Sequence, residues 1–149
     1  MAAGLVAAIG FVAQQAPAPA PSPIVVRLPS NEMAATYLAV LSDAKTLQPA
    51  IAVSAGRNSR ELWVKALDPA VHLEGRSLEL WGLPPGAAPK SLGVLPRSEK
   101  MASIPLPAAA DEALAAFRTL AVSLEPPGGS PKGVPSGPVL YTGACVKYW

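Results

Sequence analysis

The chain has 149 residues and a mass of 15.2 kDa, which suits one domain with a short appendage. Its net charge is +2 and its basic residues are scattered singly from Arg27 to Lys147, a pattern that argues against nucleic-acid binding. A single cysteine excludes an intrachain disulfide, while 18 prolines and 12 glycines favour short strands with turns over a helical bundle.

The N-terminal segment, residues 1–13 (MAAGLVAAIGFVA), is apolar and uncharged. As a helix it would span about 20 Å, short of the roughly 30 Å hydrocarbon core of a bilayer. We predict that residues 1–15 form an apolar helix that is the C-terminal part of a transmembrane span. A signal-peptide core and an ordinary buried helix are the alternatives, and no Lys or Arg precedes the segment to support the signal peptide.

Residues 16–24 are predicted to be a Pro-rich linker. The run APAPAPSP at residues 16–23 favours an extended polyproline II rod of about 25 Å, long enough to hold a domain away from a membrane surface. A disordered low-complexity tail is the alternative. Residues 25–149 then form the domain proper.

The domain is predicted to be mainly β, an antiparallel sandwich or barrel-like fold with one short helix. The turn-like run at residues 56–60 predicts a hairpin, and Pro105 restricts its strand to a sheet edge. The helix is predicted at residues 111–118, with Asp111 at its N-terminus and Leu114 and Phe117 facing the core. The predicted strands cover residues 37–41, 51–54, 61–67, 78–83, 91–95, 101–106, 120–125 and 139–148.

A Pro/Gly loop, residues 126–138, joins the last two predicted strands. Its glycines invite comparison with a phosphate-binding loop, which needs successive backbone N–H donors and a following helix. Three of its prolines remove donors (Pro131, Pro135 and Pro138), and a strand follows the loop. The sequence therefore argues against phosphate binding.

No group of residues predicts catalysis or a bound metal. With one histidine, His72, and one cysteine, Cys145, the chain is too poor in ligands for zinc. Nothing places His72 beside a nucleophile, and Ser130 lies in GGSPK, which is not a nucleophile elbow. We predict no enzyme activity and no catalytic, cofactor-binding or metal-binding residue.

The remaining acidic, aromatic and thiol side chains are predicted to be structural. The helix dipole accounts for Asp111 and Glu112, and solvated surface is the expected place of Glu74, Glu79, Glu99 and Glu125. Trp63 and Trp81 are interpreted as sheet residues, with a ligand groove as the alternative. Cys145 is predicted to be an inert buried thiol, and two alternatives stay open for the terminal Trp149, a frayed and a docked side chain.

Two long segments resemble one known family. LELWGLPPGAAPKSLGVLP (residues 78–96) and LAVSLEPPGGSPKGVPSGPVL (residues 120–140) closely resemble the C-terminal, extracytoplasmic domain of the anti-sigma-K factor family, and the resemblance covers residues 36–146. It implies a domain outside the cell's plasma membrane, one transmembrane helix before it, and a cytoplasmic domain that inhibits an extracytoplasmic-function (ECF) sigma factor. Membrane proteases would cleave the anti-sigma factor on an external signal.

The chain departs from that pattern in two ways. It contains no cytoplasmic sigma-binding domain, and its apolar start is shorter than a full span. We therefore predict the sensory or protease-gating half of an inner-membrane, single-pass anti-sigma factor, with residues 25–149 extracytoplasmic or periplasmic. Its expected partners are the membrane, membrane proteases and, for the full-length protein, an ECF sigma factor. The alternative is a free-standing periplasmic or secreted β-sandwich binding module.

Overall fold

The computed structural model describes residues 35–67, 74–96 and 100–148. Within them the chain forms one eight-stranded sheet and one helical turn. The predicted apolar helix and Pro-rich linker lie outside the described residues, as do His72, Glu99 and Trp149. The elements are β1 (Ala35–Asp43), β2 (Pro49–Gly56), β3 (Glu61–Ala66), β4 (Ser77–Leu83), β5 (Lys90–Leu95), β6 (Met101–Pro105), α1 (Ala110–Ala113), β7 (Thr119–Glu125) and β8 (Val139–Lys147).

The sheet curls into a nearly closed barrel. Its strand order is β5-β4-β7-β8-β1-β2-β3-β6, and every neighbouring pair is antiparallel. The two edge strands, β5 and β6, approach each other closely, since a Cβ on Gly93 would lie 2.8 Å from Cγ2 of Ile104. This curling brings the edges together and limits the unpaired backbone that an open sheet would present.

Inward-facing aliphatic side chains fill the barrel. Strand alternation sends one face of each strand inside, and the fully buried residues include Leu41, Val53, Leu62, Leu80, Leu120 and Val122. α1 and the turn after it contribute Leu114 and Phe117 to this core. The ring of Phe117 lies so close to Gly82 that a Cβ on this glycine would come within 2.5 Å of it.

The predicted β fold, hairpin and edge strand are confirmed. All eight strands form at the predicted places, β2 pairs with β3 across the 56–60 turn, and β6, which carries Pro105, ends the sheet. Leu114 and Phe117 face the core as expected. The predicted helix was too long, because α1 stops after Ala113 and only a turn continues to Phe117.

Asp111 does not cap α1; it lies in the first turn of the helix, the place expected for an acidic residue beside the N-terminal end of the helix dipole. The N-cap position is Ala109, which has no side-chain capping hydrogen bond. α1 is instead held from outside itself, since the N–H of Ala110 donates to the carbonyl of Ser59 at 2.8 Å and that of Asp111 to the carbonyl of Arg57 at 3.1 Å. The Asp111 carboxylate is occupied elsewhere, as described below.

The β1–β2 turn places a large side chain in a conformation that favours glycine. Asp43 organises the turn by accepting hydrogen bonds from the backbone N–H groups of Lys45 and Thr46 at 2.8 and 2.7 Å. Those two bonds, Thr46 first, hold the pKa of the Asp43 carboxyl below its usual value. Leu47 follows with φ +61° and a 75% exposed side chain.

We expect Leu47→Gly to raise the free energy of unfolding by about 0.5–1 kcal/mol. A left-handed conformation costs a non-glycine residue about 1–2 kcal/mol, part of which the greater freedom of unfolded glycine offsets. Urea unfolding would measure the change. Thr46→Gly is the matched control, since its φ is not positive, and it should lower stability; equal effects of the two changes would contradict the strain argument.

Candidate functional site

The Pro/Gly loop, residues 126–138, is attached by hydrogen bonds to the outward-facing side chains of β4 and β7. These two neighbouring strands are buried on both faces, unlike the other strands of the barrel. Their inward side chains join the core. Their outward side chains, Ser77, Glu79, Trp81, Ala121, Ser123 and Glu125, are buried as well. This outward polar row is called the latch below, because it holds the loop.

Glu125 is the centre of the latch. Its side chain has no exposed surface, and its Oε1 accepts hydrogen bonds from Ser123 Oγ at 2.6 Å, Ser136 N at 3.0 Å and Gly137 N at 3.2 Å. Its Oε2 accepts from the Ser136 hydroxyl and, at 3.2 Å, from Ser136 N. Trp81 extends the network by donating from Nε1 to Ser123 Oγ at 2.8 Å. One carboxylate therefore binds the C-terminal part of the loop to β7 and β4.

Glu79 binds the N-terminal part of the same loop. Its Oε2 accepts from Ser130 N at 2.6 Å, and its Oε1 accepts from the Ser91 hydroxyl of β5 at 2.5 Å. Nearby, Gly128 N donates to Ser77 Oγ at 3.0 Å. The loop retains few backbone donors because of its prolines, and these bonds use several of them.

Close backbone packing completes the attachment. A Cβ on Gly137 would lie 1.8 Å from the carbonyl oxygen of Leu124, so only glycine allows the chain to pass there. Arg76 donates from Nη2 to the same carbonyl oxygen at 2.9 Å. The loop is thus a structured covering of the barrel wall, built from glycine fit and charge-assisted hydrogen bonds.

The electrostatics of Glu125 reflect two opposing effects. Burial raises the pKa of a carboxyl, but the hydrogen bonds donated by Ser123, Ser136 and Gly137 favour the ionised form more strongly. Together they hold the pKa of Glu125 below its usual value. The carboxylate is therefore ionised at neutral pH and saturated with donors, an arrangement suited to structure and not to proton transfer.

A second polar cluster joins α1 to strands β1 and β8 of the barrel. The Tyr37 hydroxyl donates to Asp111 Oδ1 at 2.8 Å, and Lys147 Nζ lies 2.6 Å from the same oxygen. Lys147 also lies over the Tyr37 ring, 5.7 Å from its centre. The hydrogen bond from Lys147, and then that from Tyr37, lower the pKa of Asp111. The cluster ties together β1, β8 and α1.

We expect Tyr37→Phe to lower the free energy of unfolding by about 1 kcal/mol, the usual net value of one hydrogen bond. The ring stays in the core while the bond to Asp111 is lost. Thermal or urea unfolding would measure the loss. Tyr148→Phe, at a tyrosine that is 54% exposed, is the control; a similar loss in both variants would show that the bond contributes nothing specific.

Two predictions about acidic side chains are wrong. Glu79 and Glu125 were expected at the solvated surface, but both are buried because a loop distant from β4 covers them. Alternation correctly placed them opposite the core face. The missed signal is the mixed outward row itself, since a tryptophan among small polar residues and carboxylates on adjacent strands is unusual for a solvated surface.

The two tryptophans of the strands do not form a joint groove. Trp81 is completely buried in the latch, whereas Trp63 on β3 is 43% exposed. The structural interpretation therefore applies to Trp81, and Trp63 remains an exposed aromatic side chain. Cys145 is half-buried against the core, and burial raises the pKa of its thiol, as expected for an unreactive cysteine.

The described residues hold no cluster of metal-binding side chains. Residues 35–67, 74–96 and 100–148 contain no group of three His, Cys, Asp or Glu side chains able to hold a metal ion. Ser130, the serine considered as a nucleophile, donates from its hydroxyl to the carbonyl of Val134 at 2.5 Å and accepts from Lys132 N. Its role within the loop is local structure.

The fold and the latch define a small, barrel-like all-β domain whose notable polar groups maintain its own architecture. Sequence comparison gives its affiliation: residues 1–139 match the family described as anti-sigma-K factor rskA, C-terminal. The chain belongs to this family, as the two resembling segments predicted. Neither the curated proteins nor the solved structures include a significant match.

Proposed function

We propose that this chain is the extracytoplasmic sensory and regulatory domain of a membrane-anchored anti-sigma factor. In this proposal it controls an ECF sigma factor through regulated proteolysis and has no catalytic activity of its own. The observation that carries the proposal is the family match over residues 1–139. An anti-sigma factor acts by binding a sigma factor, so a sigma factor is the expected partner of the whole protein.

The order of segments along the chain supports a position outside the membrane. The apolar residues 1–13 and the Pro-rich residues 16–24 precede the barrel, in the order expected for an anchor, a spacer and an external domain. Among the described residues, no helix is both long and apolar enough to cross a bilayer. The proposed membrane anchor is residues 1–13, because they are apolar and uncharged.

A stable barrel can regulate proteolysis without catalysis. Proteases cleave locally unfolded backbone, so a folded domain that shields its neighbouring linker protects it, and a change in the domain exposes it. We propose residues 16–24 as the cleavage region. Replacing them with an unrelated rigid spacer should abolish signal-dependent cleavage; unchanged cleavage would exclude this region as the regulated site.

Fractionation of native cells tests the main proposal. An antibody raised against residues 24–149 should detect a membrane-bound band clearly larger than 15.2 kDa, because the proposed anti-sigma factor includes a sigma-binding domain. Deletion of its gene should raise transcription from promoters of one ECF sigma factor. A soluble periplasmic band slightly below 15.2 kDa would instead favour a free-standing binding module, for which exposed Trp63 offers a contact residue.

A further inference from the structure

Among the described residues, the outer surface of the barrel is covered on one side only. The loop covers β4 and β7, whereas the outward side chains of β8, β1, β2, β3 and β6 include several large exposed hydrophobic residues. Val40 is 44% exposed, Trp63 43%, Met101 57% and Val146 48%. Exposed apolar residues are ordinary when scattered, but a contiguous group marks an interaction surface.

Strand register shows that these side chains are contiguous. In one row Val146 pairs with Leu38, Leu38 with Ser54, and Ser54 with Trp63. In the adjacent row Val40 pairs with Ala52, Ala52 with Lys65, and Lys65 with Met101. Five strands at the usual spacing make this surface about 19 Å wide. It is called the open face below and consists of Leu38, Val40, Ala52, Ser54, Trp63, Lys65, Met101, Ser103 and Val146.

The open face has one charge, and it is positive. Lys65 lies between Ala52 and Met101, and its side chain is exposed. The nearest acidic residue of β3, Glu61, is at the rim, one row beyond Trp63. A lysine stem can lie along apolar neighbours while its ammonium group reaches a polar partner. The face therefore suits a partner that is both apolar and anionic.

We propose that the open face binds the surface of an anionic lipid bilayer. The face lies on the outside of a barrel, so it is convex, and a partner helix would find no groove there. Tryptophan and lysine beside aliphatic side chains are typical of proteins at the membrane–water interface. A second copy of the chain fits poorly, because a two-fold contact through this face would bring the two Lys65 ammonium groups towards each other.

This inference does not require a sigma factor. If the chain is anchored as proposed, the anchor raises the effective concentration of lipid at the face, so weak binding suffices to hold the domain against the membrane. Binding would then control how accessible the linker is to a protease. If the chain is a free periplasmic or secreted module, the same face predicts peripheral binding to anionic membranes.

Fluorescence quenching of Trp63 in the full chain is the test. Because residues 1–13 can themselves associate with lipid, co-sedimentation alone does not report on the face. We would use a Trp149→Phe background and phosphatidylcholine vesicles with brominated acyl chains, with or without phosphatidylglycerol. Trp81 is completely buried and serves as the unquenched reference. Its fluorescence is measured separately in a chain that also carries Trp63→Phe.

We expect quenching of Trp63 by the anionic vesicles and much less by the neutral ones. Lys65→Glu should lower the apparent partition coefficient obtained from Trp63 quenching at least fivefold. One basic residue near an anionic surface contributes about a factor of five in binding. Lys65→Gln should give a smaller loss. Lys90→Glu on β5 makes the same charge change away from the face and is the matched control.

Three results would overturn the inference. These are an absence of Trp63 quenching with both vesicle types, an equal loss in the Lys65→Glu and Lys90→Glu variants, and a dimer in sedimentation equilibrium that Trp63→Ser dissociates. The last result would assign the face to a second copy. Because the fractionation experiment is independent of Lys65, failure of the lipid inference is distinguishable from failure of the proposed function.

Discussion

Replacing Glu125 with alanine is expected to lower the free energy of unfolding by about 3 kcal/mol or more, since several donors to a buried carboxylate lose their acceptor at once. The hydroxyl groups of Ser123 and Ser136 and the N–H of Gly137 all depend on this side chain. Urea unfolding would measure the loss. Glu61→Ala, at an exposed glutamate of β3, is the control and should have little effect.

The same variant should release the Pro/Gly loop. Lys132 is exposed within the loop and is its only basic residue, so trypsin cleavage after Lys132 reports on how firmly the loop is held. Glu125→Ala should accelerate this cleavage while the rest of the barrel stays folded, and the fluorescence of Trp81 should shift towards that of a solvated indole. A loop equally resistant in the wild-type chain and in Glu125→Ala would show that the latch does not hold it.

Acid should weaken the wild-type chain partly through Glu125. Its pKa is lowered in the folded chain, so the stability that it contributes is present above the unfolded pKa of about 4.3 and is lost as pH falls through the lower folded value. Glu125→Gln keeps one acceptor oxygen and removes the titration. Its stability should therefore fall less steeply below about pH 4.5 than that of the wild-type chain.

The comparison with Glu125→Gln isolates one carboxyl among several. Asp43 and Asp111 also have lowered pKa values, so both chains should lose some stability in acid. Only the difference between the two chains in how the free energy of unfolding depends on pH reports the titration of Glu125. Parallel curves over the whole acid range would contradict the assigned direction of its pKa shift.

Gly143→Ala is expected to be the other severe change, with a loss of about 3 kcal/mol or more from forced separation of two strands. A Cβ on Gly143 would lie 2.2 Å from the carbonyl oxygen of Val40, a backbone atom that cannot move aside alone. The β1–β8 ladder pairs Ala39 with Cys145 and Ser42 with Thr142 on either side of this contact. The added methyl group must therefore disturb pairing in the middle of the sheet.

Gly133→Ala provides the comparison for Gly143→Ala. Gly133 has φ +68°, but a Cβ there would meet nothing within 4 Å, so its cost is only the left-handed conformation, about 1–2 kcal/mol. Unfolding by urea or heat would rank the two variants. If Gly133→Ala proved as damaging as Gly143→Ala, backbone crowding between β1 and β8 would not be the reason that glycine is needed.

The sequence was sufficient to predict the eight strands and the β class. Strand geometry requires apolar residues to alternate with others, as they do in residues 120–125, and turns require Pro or Gly between strands. Both requirements are local, so both can be read from the sequence. The helix was harder, because Leu114 and Phe117 can both reach the core from a single turn followed by a bend. Two apolar residues spaced three positions apart, such as Leu114 and Phe117, fit a single turn as well as a longer helix.

Local sequence also predicted the family, since that resemblance depends on residue identity and spacing alone. Only the tertiary structure decided which outward faces are covered. Period-two alternation assigns Glu79, Trp81 and Glu125 to the side away from the core, but burial depends on where a loop from elsewhere in the chain returns. In β3 the structure places Trp63 on the outward face, between buried Leu62 and Val64, and no described element covers it.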